Sequence, residues 1–399
     1  MKRIILMSGI CLASLMGQAQ KKFVPNYDES KVPQYTLPDV LTCNDGTKVT
    51  TKKQWEKKRR PEIMEMFQSQ MFGRTPQEKI PVTYEQLSET TAFEGKATIK
   101  EVKFHFQNNG KSHDATLMLV LPSHLNGKKC PVFVGLNFKG NKETLMPDGA
   151  NARRWDYEQI VDRGYAVATM YYYDIYPDQN GKSGESLQAL FSDYSPELKD
   201  DTWQAIGTWA WGVSRIADYL ETLPWVNKKE LAVIGHSRLG KTSLWAGAQD
   251  PRFKVVISND SGCGGAAISR RCVGETVWRI NTSFPHWFCK KFREYNDNES
   301  ALPFDQHELL ALVAPRAVYV ASAEMDDWAD QRGEFLAASA VGDVYHLYGL
   351  LGLETKEMPG LHQPIMKSVG YHIRQGVHDV TNYDWRCYLD FCDRQFKKK

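Results

Sequence analysis

Five short, unbroken apolar runs, at residues 131–137, 165–171, 231–234, 255–258 and 317–321, restrict the fold of this sequence more than any other feature. Strands buried on both faces of a parallel sheet read this way, whereas half-exposed strands alternate apolar with polar residues. Helical patterns stand between the runs, notably at 203–223 and 239–248, and further helices are predicted at 57–72 and 385–396. Ahead of the runs, residues 97–106 and 115–121 do alternate. Asn108-Asn109-Gly110 between them is a tight-turn signal, so an antiparallel hairpin at a sheet edge is predicted. This order predicts an α/β class, doubly wound: a mostly parallel central sheet with an antiparallel N-terminal hairpin and helices on both faces. Functional groups then gather at the carboxyl ends of the strands. Two long aperiodic loops, 139–157 and 174–201, read as lids or substrate-binding elements.

The chain's 50 Lys+Arg against 48 Asp+Glu leave a formal charge of +2, too balanced for the basic face that a nucleic-acid partner requires. At its start, Lys2 and Arg3, an apolar run over 4–16 and then Gly17, Gln18, Ala19 and Gln20 follow the order of a secretory signal peptide. The run is short for a membrane span. Ile10 stands before Cys11, where lipoprotein processing wants a small residue, so no lipid anchor is expected. The expected layout is a signal peptide over 1–20, an N-terminal arm and helix over 21–90, and an α/β catalytic domain over 91–399. The protein is expected to be secreted or periplasmic, not inserted in a membrane, and monomeric. Without Cys11, seven cysteines remain (Cys43, Cys130, Cys263, Cys272, Cys289, Cys387 and Cys392), so at least one is unpaired within a monomer. No Cys-x-x-Cys pair or matching histidine set points to zinc, and neither metal nor organic cofactor is expected.

The segment Leu231-Ala-Val-Ile-Gly-His-Ser-Arg-Leu-Gly-Lys241 holds most of the functional information. A strand runs into Gly235, a sharp turn presents Ser237, and a helix follows. That is the context of a nucleophile elbow, although Leu239 stands where the usual pattern has glycine. The helix N-terminus supplies N–H groups and partial positive charge for a developing oxyanion. A serine alcohol needs a base, and the base needs an orienting acid. His378, in the loop 370–379 before the closing helix, is the best-placed histidine. His286, His307, His346, His362 and His372 read as structural. Asp260 after the run 255–258 and Asp326 after 317–321 are both positioned to serve as the acid.

The segment Gly235-His-Ser-Arg-Leu-Gly-Lys241 resembles the Gly-x-Ser-Arg-x-Gly-Lys signature of the glucuronoyl esterases, carbohydrate esterase family 15. Asn259-Asp-Ser-Gly-Cys-Gly-Gly265, Arg270-Arg271 with Gly274-Glu275, Ala314-Pro-Arg316, Asp326-Asp-Trp328 and Gly376-Val-His-Asp379 occur in that family's order at similar spacing. The resemblance implies an α/β-hydrolase fold and hydrolysis of the ester between 4-O-methyl-glucuronic acid of glucuronoxylan and lignin alcohols. It implies Ser237 as nucleophile, His378 as base, Asp326 as acid with Asp260 second, and Arg238 as oxyanion stabiliser. Lys241, Glu275 and Trp328 resemble the family's sugar-binding residues. Fungal relatives have cysteine where this chain has His236, so their disulfide at that place is not expected here. The competing readings are an acetyl xylan esterase of the same fold and a non-catalytic carbohydrate-binding relative.

Overall fold

In the computed structural model, which describes residues 22–125, 127–145 and 154–396, ten strands form one sheet. They are β1 (Val82–Ala92), β2 (Ala97–Asn108), β3 (Lys111–Pro122), β4 (Cys130–Asn137), β5 (Ala166–Tyr171), β6 (Val226–His236), β7 (Phe253–Asn259), β8 (Ala317–Ala323), β9 (Ile365–Met366) and β10 (Val369–Arg374). Their order across the sheet is β1-β2-β3-β5-β4-β6-β7-β8-β10-β9. All five apolar runs are strands of its parallel centre, from β5 through β10. The segment read as a signal peptide lies outside the described residues.

The helices that matter here are α1 (52–72), α2 (Tyr157–Asp162), α3 (Ala205–Leu220), α4 (Arg238–Gln249), α5 (Gln331–Ser339) and α6 (Asn382–Phe396). Side chains of a strand alternate between the sheet's faces. On β6, Leu231 and Val233 enter one core with α3 and α4, while Ala232 and Ile234 enter the other with α2 and α6. Both faces of the centre are therefore covered, which is why these strands carry no polar alternation. Together this is the architecture of an α/β-hydrolase fold.

Three predicted elements differ from the structure. The β2–β3 hairpin turns at Asn109 and Gly110, both at positive φ (51° and 73°), but it is not the sheet edge, because β1 pairs outside β2. Most β1 side chains are exposed, and its polar sequence carries no alternation to read. Residues 370–379, read as a loop, begin inside β10, all six residues of which are buried. Its histidine and arginine disguised it: His372 (2.8 Å) and Arg374 (2.7 Å) share one buried partner, Asp384 of α6. Finally, α1 starts at Lys52 rather than 57, behind a reciprocal cap between Thr51 and Gln54. All seven cysteines from Cys43 onward are free thiols.

The N-terminal arm runs back across the domain. Phe23 packs on Trp278 and Trp328, each with ring centres 5.8 Å apart, Asn26 accepts from the Gly274 N–H (2.9 Å), and Glu29 pairs with Arg271.

Candidate active site

Strand β6 ends at His236, α4 begins at Arg238, and Ser237 between them takes φ 58°, ψ −127°. A non-glycine residue in such a conformation is strained by about 1–3 kcal/mol and needs its surroundings to hold it. Here the Ser237 N–H donates to the Asn259 carbonyl (2.9 Å), and its own carbonyl accepts from Gly240 (2.8 Å) and Lys241 (3.2 Å). The turn also requires Gly235: a Cβ there would lie 1.8 Å from the Leu239 carbonyl oxygen. Gly235→Ala is expected to cost about 4 kcal/mol or more, read as a fall in the denaturant midpoint. Ser237 makes no side-chain cap to α4. Its hydroxyl is thus not serving as an ordinary helix cap.

The carboxyl ends of the neighbouring strands supply the rest. Asp260 follows β7, Asp326 follows β8, and His378 follows β10. Asp326 Oδ2 lies 2.5 Å from His378 Nδ1. With Nδ1–H donating to Asp326, His378 Nε2 is left as an acceptor. Asp260 offers an atom within 4.8 Å of those on both Asp326 and His378. Asp326 and His378 are bonded to each other, and Asp260 stands beside that pair as a second carboxylate.

One cavity of about 340 Å³ is lined by Ser237, Arg238, Lys241, Asp260, Glu275, Asp326, Trp328 and His378, all eight residues singled out from the sequence. None of the five rival histidines lines it. His286 bonds Asp178 and His307 bonds the Pro38 carbonyl. His346 bonds Glu354, His372 bonds Asp384, and His362 packs on Tyr383. Ser261, Gly262 and Ala329 from the two strand-end loops line it too; Phe284 and Trp287 add an aromatic wall, and Asp178 stands behind it on Arg238. Phe284, Trp287 and Asp178 were missed. The loop 174–201 was singled out without naming a residue in it, and the irregular chain around 284–287 has no periodicity to read.

Burial governs the electrostatics of the cavity. The two acids differ sharply: neither Asp260 oxygen has a hydrogen-bond partner among the described residues, and its nearest cation, Arg374 Nη2, is 3.6 Å away. Burial, reinforced by Glu334 and Asp326, pushes the Asp260 carboxyl well above its usual range. Burial also lowers Lys241, whose Nζ donates to the Ser261 carbonyl, and raises Glu275. Arg270 pairs with Asp305, and Arg271 with Asp330 and Glu29, so neither arginine is tied to Glu275.

Glu334 of α5 fastens the loop after β7, accepting from the N–H groups of Ser261 (2.8 Å) and Gly262 (3.0 Å), and it also accepts from the Ser322 hydroxyl (2.7 Å). Burial pushes its carboxyl up from 4.5 to about 7. The folded state then holds a proton that the unfolded chain gives up, so this group's contribution to stability is full below pH 4.5 and is lost as pH rises through about 7. Glu334→Gln should flatten that fall in unfolding free energy by about 3 kcal/mol, measured by denaturant titration between pH 5 and 8.

Comparison with known proteins identifies the family. The family model for glucuronyl esterase, fungi, matches residues 104–349. A carbohydrate esterase, MZ0003, from an unknown prokaryotic organism is 44% identical over 396 residues, covering 92% of this chain and 91% of the relative. The 4-O-methyl-glucuronoyl methylesterase of Schizophyllum commune is 30% identical over 325 residues, covering 79% of this chain and 74% of the relative. A solved glucuronoyl esterase from Solibacter usitatus superposes with a TM-score of 0.87 at 43% identity, over 92% of this chain and all of that one. The elbow, the acid–imidazole pair and the shared cavity thus sit in a chain that belongs to the glucuronoyl esterase family, carbohydrate esterase family 15.

Proposed function

We propose that this protein is a secreted serine esterase that cleaves the ester joining 4-O-methyl-glucuronic acid of glucuronoxylan to lignin alcohols. The observation that carries the catalytic part is the Asp326–His378 pair lining the same cavity as Ser237 and Arg238. His378 Nε2 takes the proton of the Ser237 hydroxyl as Oγ bonds to the uronate carbonyl carbon. Arg238 and the first N–H groups of α4 stabilise the oxyanion. The carbon–oxygen bond to the alcohol then breaks, and the alcohol leaves with the proton from His378. Water, deprotonated by the same imidazole, attacks the acyl-enzyme and restores Ser237. Asp326 keeps the imidazole in the required tautomer and stabilises its charged form. Lys241, Glu275 and Trp328 bind the uronate ring: the ammonium and carboxylate engage hydroxyls, and the indole covers a face.

The chain is proposed to act as a monomer in which residues 21–90 form an arm and helix on a catalytic domain spanning 91–399. Strand β1 crosses position 90 and pairs with β2. No described helix is long and apolar enough to cross a membrane. Export rests on the charged, apolar and small-residue order of the first 20 residues. The deciding experiment sets benzyl glucuronate against acetylated xylan. Turnover at least about 100-fold faster on the uronate is expected, from binding groups that acetate cannot engage. Preference for the acetyl ester would assign the protein to acetyl xylan hydrolysis instead.

A further inference from the structure

The long loop 174–201 brings a buried carboxylate to the back of the cavity's arginine. Asp178 Oδ1 accepts from His286 Nε2 (2.8 Å) and from the Trp287 indole N–H (2.7 Å), and Oδ2 accepts from the Tyr172 hydroxyl (3.2 Å) and from Arg238 Nη1. Its side chain is only 5% exposed. Burial acts to raise its pKa, but His286, Arg238 and Trp287 outweigh that and hold the carboxyl at about 2. Asp178 is therefore an anion throughout the neutral range.

Arg238 sits in the first turn of α4, where a cation opposes the helix dipole. Asp178 offsets that penalty locally. The guanidinium also lies 4.9 Å from the ring centre of Trp287, 5.6 Å from Phe284 and 5.9 Å from Phe138. Phe284 and Trp287 stack on each other at 3.8 Å and 4°. A guanidinium has five donors. Asp178 occupies one at Nη1 and Nε is buried, although the side chain as a whole is 28% exposed, so the donors left for the cavity are those on the two Nη atoms. Arginine side chains are otherwise among the most mobile, and an oxyanion stabiliser is effective only when its donors are in place before charge develops.

We propose that Asp178 is a positioning residue for catalysis: anchored by His286 and Trp287, it holds the Arg238 guanidinium against the aromatic wall with its remaining Nη donors presented to the developing oxyanion. This rests on the esterase reading above, and Asp178 itself touches neither substrate nor nucleophile. Acting only through Arg238, it must show its effect only when that arginine is present.

The test is a double-mutant cycle on benzyl glucuronate with the full chain. Arg238→Ala is expected to lower kcat about 10²- to 10³-fold, and Asp178→Asn about 30- to 100-fold with KM within about threefold. The double variant should be no slower than Arg238→Ala alone, within about twofold. Asp178→Asn keeping more than about a third of wild-type kcat, or losses that multiply in the double variant, would overturn the role. If circular dichroism shows Asp178→Asn unfolded, Trp287→Phe replaces it in the cycle. That change keeps a ring beside Arg238, removes one donor to Asp178, and should cost about three- to tenfold in kcat, again only with Arg238 present. Wild-type turnover and phosphonate labelling of Ser237 are measured in the same series. Failure of both rejects the esterase reading and this role with it; success of both with multiplicative losses rejects the role of Asp178 alone.

Discussion

Replacing Ser237 with alanine is expected to lower kcat on benzyl glucuronate by about 10⁵- to 10⁶-fold, the scale seen when a triad nucleophile is lost. Its hydroxyl is the only protein group in the proposed cycle that bonds to the acyl carbon, and no other hydroxyl stands on the strained turn between β6 and α4. Lys241, Glu275 and Trp328 remain in the cavity. Glucuronic acid should therefore still bind, with a dissociation constant within about threefold of wild type by titration calorimetry, as expected for binding groups remote from the reacting atom. A variant that keeps more than about 1% of wild-type turnover contradicts nucleophilic catalysis by this serine.

The second large effect separates the two acids. Asp326→Asn should reduce kcat by about 10⁴-fold, because an amide facing Nδ1 favours the wrong imidazole tautomer and cannot stabilise the charged ring. Asp260→Asn should cost less than about tenfold, since it leaves the bond from Asp326 to His378 in place. Burial and the neighbouring carboxylates of Glu334 and Asp326 raise the Asp260 pKa, and asparagine keeps the shape of that side chain. Turnover of the two variants on one uronate ester decides between them, and a larger loss at Asp260 would transfer the acid's role to that residue.

The parallel centre of the sheet was legible because its strands are apolar on both faces, a pattern few other environments demand. The convergence of Ser237, Asp260, Asp326 and His378 followed from topology, since the ends of adjacent parallel strands meet at one edge. Elements whose stability comes from pairing of polar groups were not legible. Strand β10 carries a histidine and an arginine that look solvent-facing until Asp384 is brought from α6 to meet both. Strand β1 is held mainly by backbone pairing with β2, which leaves no mark on its side-chain pattern. Asp178 lies 60 residues from Arg238, and no local spacing announces their meeting.

The arm against the cavity wall bears on how the protein is handled. Trp328, which lines the cavity, packs on Phe23, so an affinity tag or reporter fused just ahead of residue 22 would hang beside a wall of the cavity. The opposite terminus is a safer attachment point. Phe396 packs on Tyr165 at the amino end of β5, across the full length of the sheet from the reacting groups. Immobilisation through that end would keep the support away from the carboxyl edge of the sheet, where the cavity lies.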